Sequence, residues 1–279
     1  MTQLTRRVFY KLSPGLRLMI RKAFFFPIDI WNTITGKRHK YEPLKGDIYI
    51  GSGNFIAQGK HHLELLKEHI YLSPNDAVLD VGSGIGRTAV ALTQHLNPNG
   101  KYEGFDVVEK GVSWCNKKIN KDFPNFNFIY VPLKNDLYNN CKEEAQDFKF
   151  PYEDNTFNKV FLFSVFTHMT VDDISHYLSE IKRVMKPGGL CLFTCFTYNN
   201  LNEAYIAHHD PFSFPYLKDD YRLMNNKVES ANIALKDVLL DKLIARAELK
   251  KLHIIPGYWA KETQKNPHND FQDIVIVQS

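Results

Sequence analysis

The sequence has few cysteines and no long uncharged apolar segment. Its four cysteines form no Cys-x-x-Cys pair and have no histidines at zinc spacing, which argues against a disulfide framework or a zinc site. Carboxylates are frequent but form no ligand pattern, so no metal site is expected. No run approaches the roughly 18 to 20 apolar residues that span a bilayer. The longest candidate, residues 16–31, is broken by basic residues and a proline.

The N-terminal region also lacks the pattern of a secretory signal peptide. Basic residues stand where an uncharged segment and a small-residue cleavage site would lie, so we expect a cytoplasmic protein. The net charge of +4 is unevenly distributed along the chain. Residues 1–40 hold nine Lys and Arg and one acid, a sum of +8, which leaves −4 for the remaining residues.

Residues 1–40 combine these charges with large apolar side chains at helical spacing, which predicts two short basic amphipathic helices. Their apolar positions are Leu4, Val8 and Leu12, then Leu16, Ile20 and Phe24 after Pro14-Gly15. Such a segment is typical of one that contacts an anionic membrane, so that the protein is membrane-associated, or that covers an apolar substrate entrance. An extension packed on the domain with solvated charges explains the pattern equally well. Nucleic-acid binding is disfavoured, because no nucleic-acid motif accompanies the interleaved charges.

The domain organisation follows from these composition changes. We expect residues 1–47 to form the basic amphipathic extension. Residues 48–279 then form one domain, with an irregular polar insertion at about 198–233.

The stretch AVLDVGSGIGR, residues 77–87, predicts a nucleotide-binding element. A strand ending at Asp80 leads through a loop with glycines at every second position into a helix. Glycines let the backbone approach a ligand closely, and the first helical turn offers unpaired N–H groups. Asp106 ends the next strand, 20 residues beyond Gly86, the distance at which a carboxylate accepts hydrogen bonds from ribose hydroxyls.

Strands and helices alternate along most of the chain, which predicts a parallel sheet covered by helices on both faces. Further strands are expected at 126–131, 160–163, 190–196, 249–259 and 271–279, and helices at 54–70, 111–121, 171–185 and 234–249. A tight turn at Lys186-Pro187-Gly188-Gly189 precedes the fifth strand. The last two strands are joined without a helical pattern and should pair antiparallel.

With these elements in hand, the sequence resembles the class I S-adenosylmethionine-dependent methyltransferases. The matching motifs are LDVGSGIGR, GFD, FPYEDNTFNKVFLFSVFTHM and EIKRVMKPGGLCLFT, so the resemblance covers about residues 54–197. It implies an α/β, Rossmann-like, doubly wound seven-stranded sheet with strand order 3-2-1-4-5-7-6. Only strand 7 is antiparallel in that order, and the cofactor is S-adenosyl-L-methionine.

The resemblance also implies roles for single residues. Asp80 would lie around the cofactor's ammonium, Asp106 would bind the ribose hydroxyls, and Val107 would lie beside the adenine. The loop backbone would face the methionine part, and Phe163 and Ser164 would border the transferable methyl group. The full set of predicted cofactor-binding residues is Asp80, Gly82, Ser83, Gly84, Gly86, Asp106, Val107, Phe163 and Ser164. The adenine contact after the third strand stays open, because Leu133 and Lys134 offer neither acid nor amide.

A dehydrogenase also uses a glycine-rich strand-turn-helix, with the fingerprint G-x-G-x-x-G. Here residues 82–87 read G-x-G-x-G-R, which places Arg87 where the third glycine belongs. That glycine permits close contact between helix and strand. The mismatch, together with the Lys-Pro-Gly-Gly turn, favours the methyltransferase.

His168 is the best candidate for a catalytic base, because it lies four residues after Ser164 and so near the expected methyl group. Capping of the following helix or simple lining of the cavity explains it equally well. His61 and His62 are expected to lie on a helical face without a chemical role.

Three functional hypotheses follow. The first is methyl transfer to a small or lipid-linked acceptor at oxygen, with the basic arm docking the acceptor. The second is O-methylation of a sugar, stacked on tyrosines of the insertion: Tyr198, Tyr205, Tyr216 and Tyr221. The third is a non-catalytic cofactor-binding module. The sequence leaves open the acceptor and the oligomeric state.

Overall fold

The computed structural model describes residues 14–49, 51, 53–133, 141, 143–209, 212–226, 232–261 and 263–279. The first of the two predicted N-terminal helices lies outside these residues. The α-helices are α1 (Pro14–Ile34), α2 (Phe55–Ile70), α3 (Arg87–Leu92), α4 (Glu109–Cys115), α5 (Val171–Val184), α6 (Glu203–His208) and α7 (Asp237–Arg246). The strands are β1 (Ala77–Val81), β2 (Lys101–Asp106), β3 (Phe126–Tyr130), β4 (Phe157–Leu162), β5 (Met185–Tyr198), β6 (Tyr216–Leu217), β7 (Tyr221–Leu223), β8 (Ile233–Lys236), β9 (Lys250–Ile255) and β10 (Asp273–Gln278).

The sheet has the expected order. Strands β3, β2, β1, β4 and β5 are parallel neighbours, and β10 pairs antiparallel with both β5 and β9. Because β9 and β10 are the predicted sixth and seventh strands, the order 3-2-1-4-5-7-6 is confirmed. The Rossmann-like α/β class is confirmed with it.

The strand count differs from seven, since the described residues form a sheet of ten strands. The additional strands β6 and β7 come from the segment predicted to be irregular, whereas β8 lies mostly in the predicted helix at 234–249. β5 extends to Tyr198, and its last residues pair in parallel with β8 through Phe196 and Ala234. The helix predicted to start at Ala234 therefore starts three residues later, at Asp237. Pairing with an existing strand end outweighs the helical preference of these few residues.

The Lys-Pro-Gly-Gly turn is built into the start of β5. Met185 pairs with Phe157, but the next pair is Leu190 with Lys159, so residues 186–189 of β5 lie opposite Asn158 alone and three extra residues bulge out of the ladder. Gly188 adopts the φ of +77° that this bulge requires.

Two apolar clusters cover the faces of the sheet. On one face α2, α3 and α4 pack over β1 and β2, with Leu65, Leu66 and Val78 fully buried. On the other face α5 and α7 pack over β4 and β5, with Ile181 and Val160 fully buried. The continuous apolar strands are thus buried on both faces, as expected for a parallel sheet.

The N-terminal helix α1 is longer than predicted. It begins at Pro14, a favourable first helical position, and runs through Pro27 to Ile34. It is held by a short helical turn at Lys45–Asp47. None of the described helices is both long and apolar enough to cross a bilayer.

Candidate active site

A cavity of about 690 Å³ lies where β1, β2 and β4 end. Its size is within the range of about 300 to 1,000 Å³ that is typical of small-molecule sites. Ligands of open α/β sheets bind at this carboxyl edge, where the strand order reverses. Nine of the ten residues predicted for the site line the cavity: Asp80, Gly82, Ser83, Gly84, Asp106, Val107, Phe163, Ser164 and His168.

The tenth residue, Gly86, is not among the residues that line the cavity. It lies at the start of α3 with φ +77°, and a Cβ there would meet Cys115 Sγ and Ile119 Cδ1 at 2.8 Å. Its glycine character is therefore explained by close packing of α3 against the next helical segment. The structure does not bring it to the cavity as the sequence predicted.

The glycine loop is fixed against β2 by its backbone. The N–H groups of Gly82 and Ser83 both donate to Phe105 O, at 2.9 and 3.0 Å. Gly82 has φ +78°, and a Cβ there would approach Val165 Cγ2 to 2.5 Å. The Ser83 hydroxyl is buried and has no hydrogen-bond partner among the residues that the structure describes. This loop therefore presents backbone and one hydroxyl to a ligand at a close distance.

Asp106 is buried at the end of β2 and organises the loop around it. Its two carboxylate oxygens accept hydrogen bonds from Gly84 N and Val108 N, each at 2.8 Å. Burial raises the pKa of Asp106 to about 6, although the backbone hydrogen bonds act in the opposite direction.

Asp80 is the second buried carboxylate of the cavity. It accepts a hydrogen bond from the Tyr102 hydroxyl at 2.6 Å. Burial raises the pKa of Asp80 to about 7, and the nearby charge of Asp106 adds to the rise. Among the described residues neither carboxylate forms an ion pair, so this end of the cavity suits a ligand with a cationic group and hydroxyl donors.

The end of β4 forms the opposite wall. Ser164 has φ +60°, an uncommon backbone conformation for a residue other than glycine. Its N–H donates to Thr194 Oγ1 at 2.8 Å, and that hydroxyl donates to Gln272 Oε1 at 2.6 Å. His168 follows in a short helical turn and is half-buried at the cavity wall. A strained position held by a hydrogen-bond chain is typical of functional sites.

The sequence missed a polar group on the same wall. His62, expected to have no chemical role, is buried and lines the cavity with Arg87, Thr88 and Asp270. His62 Nδ1 hydrogen-bonds with Thr88 Oγ1 at 2.8 Å, and His62 Nε2 lies 3.9 Å from Asp270 Oδ2. Burial lowers the pKa of His62 well below its usual range, and the charge of Arg87 adds to this effect.

The tyrosines proposed for sugar stacking lie elsewhere. Of the described residues that line the cavity, none is Tyr198, Tyr205, Tyr216 or Tyr221. Tyr198 is buried in a separate cluster around Phe196. Leu133, near the open adenine position, does line the cavity, whereas Lys134 lies outside the described residues.

Comparison with known proteins bears on the identity of this site. Residues 79–193 match the family described as a methyltransferase domain. A ubiquinone/menaquinone biosynthesis C-methyltransferase from Wigglesworthia glossinidia brevipalpis is 26% identical, over 79% of this chain and 81% of that protein. A phthiotriol/phenolphthiotriol dimycocerosates methyltransferase from Mycobacterium ulcerans is 31% identical over 45% of this chain. The match spans only 39% of that protein's length.

The fold has solved relatives. An S-adenosylmethionine-dependent methyltransferase from Mesorhizobium loti superposes with a TM-score of 0.55 at 12% identity. The superposition covers 79% of this chain and 98% of that structure. At this identity the likeness concerns the fold.

S-adenosylmethionine is supported as the cofactor by the family match together with the residues of the cavity. It carries an ammonium group, a sulfonium group and ribose hydroxyls. Within the described part of the chain, Asp80 and Asp106 are buried carboxylates without cationic partners and the Ser83 hydroxyl has no partner, so these groups can bind the cofactor's ammonium and hydroxyl groups. The residues present therefore fit the cofactor that the sequence predicted.

Proposed function

We propose that this chain, whose residues 79–193 match a methyltransferase domain, is an S-adenosylmethionine-dependent enzyme that methylates a small or lipid-linked acceptor at oxygen. One observation carries the proposal. The cavity that holds the two buried carboxylates continues to Ser164 and His168, so cofactor and acceptor positions share one enclosed space.

The charge and burial of the cavity residues suggest which part of the cofactor each of them contacts. Asp80 binds around the ammonium, Asp106 accepts hydrogen bonds from the ribose hydroxyls, and Val107 lies beside the adenine. The backbone of Gly82 and Gly84 faces the methionine part. Each of these residues lines the cavity. S-adenosylmethionine supplies the electrophilic methyl group when bound.

The neighbouring part of the loop and the end of β4 complete the cofactor side. Ser83 donates its buried hydroxyl to the methionine part of the cofactor, which supplies the partner that this group otherwise lacks. Phe163 and Ser164 border the methionine and hold the acceptor in line with the methyl group.

His168 takes the proton of the acceptor hydroxyl. The half-buried imidazole next to the end of β4 is placed to act as this base, and a positioned base typically contributes about 10²- to 10⁴-fold to the rate.

A lipid-linked acceptor is favoured over a free metabolite for two reasons. One named relative is a dimycocerosates methyltransferase and another acts in ubiquinone/menaquinone biosynthesis. The cavity wall near His168 also includes Val165, Met169 and Phe271, which suit an apolar substituent.

Methylation at carbon is the second candidate. The Wigglesworthia relative, which aligns with 79% of this chain, is named a C-methyltransferase. A base beside the methyl group serves both reactions, since removal of a phenolic proton also activates the ring carbon. The methylated atom therefore has to be measured directly.

The test is a turnover assay with the full chain and S-adenosylmethionine. The acceptors are a prenylated phenol or quinol and the matched compound without its prenyl chain. Release of S-adenosylhomocysteine and NMR of the product identify activity and methylated atom. We expect the prenylated compound to be preferred and His168→Gln to reduce kcat by about 100-fold with unchanged S-adenosylhomocysteine affinity.

His253→Gln is the matched control, because His253 lies exposed on β9 and does not line the cavity. Cofactor binding without turnover across the acceptors would favour the non-catalytic module. A product methylated at carbon would establish the second candidate in place of the first.

A further inference from the structure

Helix α1 faces the protein with a stripe that includes polar side chains. Residues on one stripe, Leu18, Phe25, Asp29 and Asn32, are buried or half-buried, and their spacing of seven, four and three positions places them on one face. Asp29 is the most buried of them, at 7% exposure. The most buried position of the inward stripe is therefore a carboxylate, whereas an ordinary surface helix buries apolar side chains there.

The opposite face of α1 is apolar and open to solvent. Nine of the sixteen exposed large apolar side chains in the described part of the chain belong to this helix. Phe24, Trp31 and Ile34 are exposed by 72, 61 and 77%. The nine are Leu16, Met19, Ile20, Phe24, Phe26, Ile28, Ile30, Trp31 and Ile34. A patch of this size on a soluble protein marks an interaction surface.

The helix is held in this orientation by polar contacts. The two oxygens of Asp29 accept hydrogen bonds from Lys45 N at 2.7 Å and Gly46 N at 3.0 Å. Arg21 Nε donates to Lys45 O at 3.2 Å, and Lys22 Nζ lies 3.1 Å from Asp47 Oδ1. Because these bonds fix the inward stripe in place, the apolar side cannot turn toward the protein without breaking them.

We propose that the outward face of α1 docks on the surface of an anionic phospholipid membrane, with the helix lying in the plane of the interface. A helix of 21 residues is about 30 Å long and presents its apolar side along that whole length. Interfacial helices insert such a face to about 5–10 Å depth while basic residues contact the headgroups.

Charge distinguishes a membrane from a second protein copy as the occupant. Lys37 and Arg38 follow directly after α1, and residues 1–40 carry a sum of +8. Two such segments placed face to face would repel each other, whereas anionic headgroups attract them.

The turn that holds the inward side of α1 leads to the cavity. The turn that holds α1 includes Asp47, which also pairs with Lys110 at the start of α4. Tyr49, two residues further along, lines the cavity. An acceptor anchored in the membrane would thus meet the cavity close to the docked helix. Only this last point rests on the proposed function, since membrane binding requires no turnover.

The experiment measures co-sedimentation of the full chain with vesicles of phosphatidylcholine alone or mixed with phosphatidylglycerol. We expect binding to the mixed vesicles that weakens with added salt, together with a blue shift of Trp31 fluorescence that a Trp31→Phe variant lacks. The variant Phe24→Ser/Trp31→Ser/Ile34→Ser should bind about tenfold or more weakly. Its unfolding midpoint should be unchanged, because these side chains are exposed.

Leu201→Ser is the matched control, because Leu201 is 94% exposed outside the helix and its replacement should leave vesicle binding unchanged. Equal binding of wild-type protein and triple variant would overturn the proposal. A second outcome would also overturn it: sedimentation velocity shows that the wild-type protein is a dimer and the triple variant a monomer, and the wild-type protein does not bind vesicles. That outcome would identify a second copy of the chain as the occupant of this face. Both readouts are independent of methyl transfer, so inactivity toward prenylated acceptors would leave the docking result intact.

Discussion

The imidazole of His62 stacks on the ring of Phe163, with ring centroids 3.8 Å apart and an angle of 8° between the planes. His62 belongs to α2, which precedes the glycine loop in sequence, and Phe163 follows β4. The stack therefore connects the helix that covers the sheet to the strand end beside the proposed methyl position.

Replacing His62 by Ala should destabilise the protein by about 2–4 kcal/mol, because it removes the stack and leaves the buried Thr88 hydroxyl without its hydrogen bond. His62→Phe keeps a ring on Phe163 and should lose less. Denaturant unfolding measures both. His61→Ala is the control and should lose less than about 1 kcal/mol, since His61 is half-buried and forms one hydrogen bond to Asn269 O. Equal losses at the two histidines would contradict the role of the stack.

The stability of the ligand-free protein should depend on pH through Asp80. Its pKa rises from the ordinary 3.8 to about 7 in the folded state, so the folded protein binds this proton more tightly than the unfolded chain. The stabilisation is complete below about pH 4 and is lost as the pH rises toward about 7. Asp80→Asn removes this dependence. The unfolding free energy of the variant minus that of the wild type should therefore increase as the pH rises from about 4 to about 7. A difference that stays constant from pH 4 to about 8 would show that Asp80 is not protonated in the folded protein.

Asp106→Asn should weaken binding of S-adenosylhomocysteine by about 1–3 kcal/mol, because the ribose hydroxyls lose a charged acceptor. Isothermal calorimetry measures the affinity. Glu103→Gln is the control: Glu103 is buried on the same strand but pairs with Lys101 and does not line the cavity. Unchanged affinity in Asp106→Asn would mean that another acid binds the ribose.

Gly82→Ala should destabilise the protein more than Gly188→Ala. Both glycines have positive φ, which costs a residue with a Cβ about 1–2 kcal/mol. A Cβ at Gly188 meets nothing within 4 Å, whereas one at Gly82 would approach Val165 Cγ2 to 2.5 Å. The additional loss should be about 1–3 kcal/mol, and Val165→Ala in the Gly82→Ala background should recover part of it. Equal thermal shifts for the two glycine variants would rule out the close approach.

The parts predicted from sequence are those whose signal lies within a short segment. One strand-helix-strand unit fixes the spacing between the loop at 82–86 and Asp106, so this spacing can be recognised in the sequence. Nine of the ten predicted site residues line the cavity. Sheet order followed from the motif resemblance, and it holds for the strands outside the insertion.

The parts that were missed depend on contacts between distant segments. His62 and Asp270 are separated by more than 200 residues and meet only because the loop between β9 and β10 folds over α2. Nothing in the local pattern of either residue indicates this, since a histidine on a helical face is ordinary. The strand β8 was missed for a similar reason, because its four residues become a strand by pairing with the extended end of β5 on one side and with β7 on the other.

Asp273 binds the β9–β10 loop through several hydrogen bonds, and no sequence pattern predicted this role. Its carboxylate accepts hydrogen bonds from Gly257 N at 2.7 Å, Trp259 Nε1 at 2.9 Å, and both N and Oγ1 of Thr197 at 2.8 and 2.9 Å. It is 4% exposed, so the donors would find no water in its absence. The loop that it fixes contributes Asp270 to the cavity wall.

Asp273→Asn replaces one accepting oxygen by a donor and should therefore destabilise the protein by about 2–4 kcal/mol. Hydrogen exchange should accelerate in the loop before β10 more than in β9, because the substitution frees the loop while the ladder between the strands is intact. Asp241→Asn, which breaks an exposed pair with Lys251, is the control and should cost less than about 1 kcal/mol. If exchange accelerates equally in β9 and the loop, Asp273 supports the whole sheet edge instead of positioning this wall of the cavity.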